Sequence, residues 1–164
     1  MKTETRQISV DRWSVTSSRP FDAIVSALNK ALGHPDTKTL LSEAEAASPA
    51  EMKAVIEKAL GPSGFMEFIR FDPGKVVAKE TTGSRRIQRF VIGNPLVMKE
   101  MVKHVPDAAS YAPVTILVAE EASSIRLSYD TMTSLLTPYG SAEALEVARD
   151  LDEKIESLLI DIAR

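Results

Sequence analysis

The sequence predicts an α+β protein in which helices cover an antiparallel sheet. Two consecutive runs carry the prediction: PVTILVA at 113–119 is strongly apolar, and IRLSYD at 125–130 alternates apolar and polar residues. The turn residues EEASS join them, a pattern typical of an antiparallel hairpin with one wet face. Apolar residues recur at helical spacing in 49–60 and 142–163, which indicates two helices able to cover the other face.

Composition limits the kind of protein this can be. A chain of 164 residues is long enough for a single domain, 1–164, with its own core. The absence of cysteine excludes disulfides and thiol chemistry. Only His34 and His104 supply imidazole, and no metal-binding spacing joins them, so no metal site is predicted. A net charge of −3 gives no indication of nucleic-acid binding.

The first ten residues, MKTETRQISV, have no apolar stretch of the kind that forms a signal peptide. No uninterrupted apolar run approaches the ~18 residues of a membrane span. The expectation is a soluble cytoplasmic protein with no membrane contact.

Local patterns then place the first elements. A strand is expected over 7–16, where the apolar phase changes at Asp11; a bulge and an edge strand explain this change equally well. A helix is expected from Pro20 to Leu32, ended by a left-handed Gly33.

The middle of the chain begins with a capping box, Ser48 to Glu51, which starts a helix that Gly61 stops. A helical turn over 40–46 is expected to precede it. FMEFIRF at 65–71 predicts a strand, and DPGK at 72–75 predicts a type II turn. Residues 76–82 fit a strand and a helix equally.

Later elements are more regular. Residues 87–92 predict a strand, a helix is expected from Pro95 to about His104, and Ser141 is a good N-cap for the last helix. This last helix, 142–163, is expected to lie on the sheet, because its ~3 heptads are few for a coiled coil.

VIGNP, where the 87–92 strand meets the next helix, has two interpretations. Asn94 is among the best N-cap residues, Pro95 suits a first helical position, and Gly93 allows a sharp turn. The same helix start could instead hold an anion with its free N–H groups. The structural interpretation is preferred, because the Asn94 side chain fills the place that an anion would take.

Other candidate site residues also have structural explanations. Arg86, in SRRIQR, could bind an anion or simply charge a strand edge. His104 could be a general base or a cation favoured at a helix end. Tyr111 and Tyr129 could line the mouth of a pocket or pack half-buried, and Asp130 ends a strand beside Tyr129.

A family resemblance adds to these patterns. The segments FVIGNPLVMKEM, SYAPVTILVAEE and RLSYD, with GFMEFIRFDPGK before them and ARDLDEK after them, resemble the domain-of-unknown-function family three hundred and two. The likeness runs from about Phe65 to Ile162. At Thr131 and Met132 many relatives carry Asp-Pro or Arg-Pro, so a differently shaped strand end is expected here.

The resemblance implies a TATA-binding-protein-like fold: a strongly curved antiparallel sheet with helices on one face, in the order β-α-(α)-β-β-β-β-α. It also implies a homodimer and identifies 34–60 as a helical insertion of a longer subgroup. It supplies no activity. The positions that match its shared pattern, which are expected near one end of the sheet, are Gly93, Asn94, Pro95, Tyr111, Pro113, Tyr129 and Asp130.

The leading functional hypothesis is a homodimeric domain without catalysis that binds a small molecule or acts as an accessory protein. Its pocket is expected between the sheet and the last helix, lined by Trp13, Phe65, Phe68 and Met98. No cofactor can be assigned.

The alternative is an enzyme acting on a small anionic substrate. Asp130 or His104 would be its acid/base, Tyr111 or Tyr129 its hydrogen-bond donor, and Arg86 its anion-binding residue. A third hypothesis is an interaction adaptor that uses 37–60.

Overall fold

A five-stranded antiparallel sheet forms the centre of the protein. The structure is a computed structural model and describes residues 1–79 and 85–164. The strands lie in the order β1-β5-β4-β3-β2, and every neighbouring pair is antiparallel. Their bounds are β1 (Arg12–Ser17), β2 (Met66–Phe71), β3 (Ile87–Gly93), β4 (Val114–Glu120) and β5 (Ile125–Asp130). The predicted α+β class and the β4–β5 hairpin are confirmed.

Helices connect and cover these strands. Their bounds are α1 (Phe21–Ala31), α2 (Thr37–Ala46), α3 (Pro49–Ala59), α4 (Pro73–Val77), α5 (Pro95–Val102), α6 (Met132–Leu136) and α7 (Ala142–Ala163). Short 3₁₀ turns follow α5 and α6, at Pro106–Ser110 and Thr137–Tyr139. Helices α4 and α5 therefore interrupt the run of strands that the resemblance implied. Among the described residues, no helix is both long and apolar enough to cross a membrane.

The main core lies on one face of the sheet. Strand register places Tyr129 opposite both Trp13 and Ile116, and Phe90 opposite Ile116, so these side chains share a face because strand side chains alternate. Helix α7 covers this face with Ala144, Ala148, Leu151, Ile155, Leu159 and Ile162. The last helix therefore lies on the sheet as predicted, with Leu159 rather than Leu158 fully buried. The relation to TATA-binding protein remains a prediction.

The predicted first strand is too long. β1 begins only at Arg12, and Val10 is 47% exposed. The change of apolar phase at Asp11 therefore marks the start of an edge strand and not a bulge within it. The Asp11 N–H is diverted from strand pairing because it donates to Ser134 Oγ (3.0 Å), while the Asp11 carbonyl still accepts from the Thr131 N–H that follows β5 (2.9 Å).

The type II turn predicted at DPGK is also wrong. Asp72 accepts a hydrogen bond from the Lys75 N–H (3.0 Å) and caps the short helix α4, with proline at its first position. Aspartate is a strong N-cap, and here that preference decides the conformation. Residues 76 and 77 are therefore helical, whereas 80–82 lie outside the described residues.

Helices α2 and α3 form a pair beside the β2 edge of the sheet. Leu40, Ile56 and Met66 bury a small apolar cluster between this pair and the strand. At the base of this pair, the backbone at Gly33 lies directly against the backbone at the end of α3. A β-carbon on Gly33 would come within 1.9 Å of the Ala59 carbonyl oxygen, so only glycine fits there. Gly33 thus serves close packing and not the left-handed helix end that its position predicted, since its φ is not positive.

Candidate functional site

The junction between β3 and α5 is built by Gly93, Asn94 and Pro95. Asn94 has extended backbone angles, and its Oδ1 accepts from the Leu96 N–H at 2.9 Å. Its Nδ2 donates to the Gly64 carbonyl oxygen at 3.1 Å. The capping predicted for Asn94 is therefore confirmed. The side-chain oxygen and nitrogen each have a partner within the protein, and Oδ1 fills the place at the helix start that an anion would take.

Beside this junction lies a pocket of about 280 Å³, which we call the inner pocket. Helix α5, the ends of β2, β3 and β4, and one residue each of α2 and α7 surround it. Its walls are almost entirely apolar. They are formed by Leu41, Phe68, Gly93, Asn94, Pro95, Val97, Met98, Met101, Ala112, Pro113, Val114 and Leu151.

Glycine at position 93 allows the end of β3 to lie close to Pro113 in the wall of this pocket. A β-carbon there would lie 3.2 Å from Pro113 Cβ and 3.4 Å from Phe68 Cε2, which is tighter than ordinary contact. Pro113 follows a cis peptide bond with Ala112. Gly93, Asn94 and Pro95 therefore lie beside a pocket, and Pro113 is next to Gly93 in its wall.

The four residues expected to line a pocket lie in different places. Phe68 and Met98 line the inner pocket. Phe65, however, is only 2% exposed and belongs to the main core. Trp13 packs against that core from β1, at the opposite edge of the sheet from β2. The pocket is therefore displaced from the centre of the sheet towards β2, because α7 itself fills the central space.

Tyr129 lies in the core and not at a pocket mouth. It is 1% exposed, and its hydroxyl donates to Asp152 Oδ1 at 2.6 Å. Burial, and after it the charge of Asp152, raises the pKa of the Tyr129 hydroxyl well above its usual range. This tyrosine is consequently a fixed hydrogen-bond donor within the fold.

Asp152 is a functional candidate that the sequence reasoning missed. It is 6% exposed and also accepts from the backbone N–H groups of Met132 (2.8 Å) and Thr133 (2.9 Å). The carboxylate thus caps α6, whose own N-cap residue Thr131 makes no side-chain cap bond. Its position, four residues after Ala148 on the buried stripe of α7, is the signal that could have identified it.

Tyr111 and His104 belong to a separate region near the two 3₁₀ turns. The hydroxyls of Tyr111 and Tyr139 are hydrogen-bonded at 2.9 Å, and their rings meet edge to face. This bond, and then burial, raises the pKa of Tyr139. His104 is exposed. The pKa of Glu143 is lowered mainly by a hydrogen bond from its own backbone N–H, then by a hydrogen bond from Ser141, and least by the charge of His104. Neither Tyr111 nor His104 lines the inner pocket.

Asp130 and Arg86 each have a charged partner elsewhere. Asp130 receives two hydrogen bonds from Arg12 across the β1–β5 pair, at 2.6 and 2.9 Å, and this lowers the pKa of Asp130. Arg86 pairs with Asp22 and lies 4.3 Å from the Phe21 ring centre. Arg86 precedes β3 and Gly93 is its last residue, so the two lie at opposite ends of that strand.

These positions separate the residues of the enzyme hypothesis. Across residues 1–79 and 85–164, the candidate acids, bases and donors occupy the core, the outer sheet face and two surface regions. No group of three or more His, Cys, Asp or Glu side chains within these ranges is arranged to hold a metal ion. Within the part of the chain that the structure describes, the predicted site residues Gly93, Asn94 and Pro95 lie together at one concave site, the inner pocket.

Comparison with known proteins agrees with this architecture. Over 93% of its length the chain is similar to the crystal structure of the uncharacterized conserved protein DUF302 from Bacillus stearothermophilus, with a TM-score of 0.65 over 98% of that chain. At 16% identity this likeness shows the fold alone. Among curated proteins, none matches the sequence.

The sequence itself also matches a family model. Residues 39–162 match the family described as "Domain of unknown function DUF302". The matched region includes most of the 34–60 segment as well as every element around the inner pocket. The chain therefore belongs to the DUF302 family of domains of unknown function.

Proposed function

We propose that this domain binds the apolar part of a small molecule in the inner pocket, without catalysing a reaction. One observation carries the proposal: a pocket of about 280 Å³ opens beside Gly93, Asn94 and Pro95, and the side-chain polar groups of Asn94 are already bonded within the protein. Binding there would release water from apolar walls, which is favourable by about 25 cal/mol for each Å² buried.

The volume of the inner pocket is large enough for a small-molecule ligand. Apolar cavities of ~150 Å³ bind benzene, and common ligand pockets begin near ~300 Å³. The inner pocket, at about 280 Å³, fits a group larger than one aromatic ring. Met98 and Met101 line it, and methionine adapts to irregular apolar shapes because its side chain is unbranched and polarizable.

The positions of the ionisable residues argue against the enzyme alternative. Catalysis needs an acid, a base or a nucleophile within hydrogen-bond reach of the bound molecule. The inner-pocket lining contains no Asp, Glu, His, Lys, Arg, Ser, Thr or Tyr. If the domain carries or senses the bound molecule for another protein, it has the accessory role named among the hypotheses. The homodimer, the cytoplasmic location and the single domain over 1–164 remain predictions.

Methionine methyl NMR tests the proposal with probes built into the pocket. We expect hexanol to shift the ¹³C-labelled methyl signals of Met98 and Met101 in a saturable way. Met132, which is fully buried beside Tyr129 and Asp152, should not shift and serves as an internal reference.

A filling variant with a matched control completes the test. Val97→Phe places a ring into the inner pocket and should abolish the hexanol shifts. Val76→Phe, at a site 67% exposed on α4, makes the same change away from the pocket and should leave them intact. Hexanol shifts that persist unchanged in Val97→Phe, or that are absent from the natural protein, would contradict the proposal.

A further inference from the structure

A second pocket adjoins the inner one. This outer pocket, of about 260 Å³, lies between the α2–α3 pair and α5. It shares Leu41, Pro95 and Met98 with the inner pocket and is otherwise walled mainly by apolar side chains such as Met52 and Ile56. The two pockets are therefore neighbours with a common wall.

That common wall contains side chains able to move. Leu41 is 46% exposed, so it has room to turn towards solvent. Met98 is unbranched and adapts readily to a neighbouring group. Pro95, the fixed part of the wall, starts α5. Rotation of Leu41 and Met98 would join the two pockets into one elongated apolar groove.

Of these two pockets, only the outer one is lined by charged side chains. The outer pocket includes Glu45 and Lys99, whereas the side-chain amide of Asn94 in the inner pocket is already bonded. Lys99 Nζ is 3.7 Å from Glu100, which bonds more closely to Lys103 at 2.6 Å. A hydroxyl can accept from an ammonium and donate to a carboxylate, so the outer end suits a neutral polar group.

We infer that the ligand is a linear aliphatic chain with a polar end group. The chain lies through both pockets, with its apolar end beside Met101 and its polar end near Glu45 and Lys99. This inference rests on the proposed function, since it extends the same site. It assigns the α2–α3 pair a role in binding: the pair supplies the wall that lengthens the pocket.

Binding of hexanol, octanol and decanol tests this length. Each methylene buried contributes about fourfold in affinity, so affinity should rise about fourfold per carbon through decanol. Decanol should also shift the methyl signal of Met52, which lines only the outer pocket, whereas hexanol should leave it unchanged.

One variant blocks only the outer pocket. Ala44→Phe should leave hexanol affinity unchanged and reduce decanol affinity to about that of hexanol. Ala46→Phe, on an exposed site of the same helix, should leave both unchanged. Hexanol shifts at Met98 and Met101 without a gain for decanol, or decanol binding unaffected by Ala44→Phe, would overturn this inference and leave the proposed function intact. Absence of hexanol shifts would overturn both.

Discussion

Gly93 and Pro113 meet at the wall of the inner pocket, where a β-carbon on Gly93 would lie 3.2 Å from Pro113 Cβ. Gly93 closes β3 and Pro113 immediately precedes β4. The absence of a side chain at position 93 thus lets these two strand ends lie close together, and a methyl group there would press on Pro113 and Phe68, two residues of the pocket wall.

Substituting Gly93 should therefore disturb binding as well as folding. Gly93→Ala must displace Pro113 or Phe68 slightly, and overpacking of this kind costs about 1 kcal/mol in the free energy of unfolding. We expect hexanol affinity to fall several-fold. Gly140→Ala, strained at φ +70° and outside the inner pocket, is the control: it should lower stability and leave binding unchanged. Equal hexanol affinity in Gly93→Ala and the natural protein would contradict this account.

Asn94 should act as a cap and not as a ligand contact. Asn94→Ala removes the acceptor for the Leu96 N–H and should lower the free energy of unfolding by about 1 kcal/mol. Asn94→Asp keeps that acceptor but loses the donor to Gly64, so part of the stability should return. Urea unfolding measures both. Unchanged stability combined with loss of binding to an anionic ligand would show that the anion interpretation is correct.

Asp152 should be the most costly polar residue to remove. Asp152→Ala removes the acceptor of the Tyr129 hydroxyl and of the Thr133 N–H, and it leaves the Met132 N–H only its longer bond to the Tyr129 hydroxyl oxygen (3.2 Å), so we expect a loss of about 3 kcal/mol. Tyr129→Phe should cost about 1 kcal/mol in the natural protein and less in the Asp152→Ala background, because the two share one bond. Denaturant unfolding of the four proteins checks this, and additive losses would exclude the coupling.

The Arg12–Asp130 pair should contribute little and only above acidic pH. Its Asp130 side chain is 38% exposed, and pairs this open contribute about 0–1 kcal/mol. Since Arg12 lowers the folded pKa of Asp130, that contribution is present above the unfolded value, 3.8, and is lost as pH falls through the lower folded value. The stability difference between natural protein and Asp130→Asn should therefore shrink below about pH 4. A difference that grows on acidification would contradict this sign.

The predicted homodimer should use the outer face of β2. Ile69 and Phe71 are 49% and 44% exposed there, although both are large apolar side chains on an edge strand. Light scattering at micromolar concentration should give about twice 17.9 kDa. Phe71→Asp should reduce this to the monomer mass, whereas Val10→Asp, an equally exposed site elsewhere, should not. A natural protein that is monomeric across dilutions would contradict the prediction.

Most of the fold could be predicted because its signals are local. Ser141, Asn94 and the capping box at Ser48 each satisfy N–H groups within three residues, so their helices begin where the sequence indicated. Two of the wrong predictions depend on distant partners, whereas the error at DPGK was a choice between two local signals, a type II turn and an N-cap at Asp72. Gly33 is explained by the Ala59 carbonyl, and the length of β1 is explained by Asp11 bonding to Ser134.

The candidate site could be predicted only in part for the same reason. Gly93, Asn94 and Pro95 are contiguous, so the sequence indicated a special junction there. Pro113 and Leu151 complete the pocket from other elements, and no local pattern brings them together. Asp152 lies on the buried stripe of α7, but its partners in β5 and α6 lie 19 to 23 residues earlier, so no local pattern indicated what it bonds.

A crystal structure with bound 1-bromohexane would test the central claim most directly. The anomalous signal of bromine locates the probe without reference to the protein electron density. The account predicts a bromine peak in the inner or the outer pocket, with the alkyl chain lying among Val97, Met101 and Pro113. The account would be contradicted if bromine were found only outside these two pockets. It would also be contradicted if the inner pocket contained ordered water and no probe.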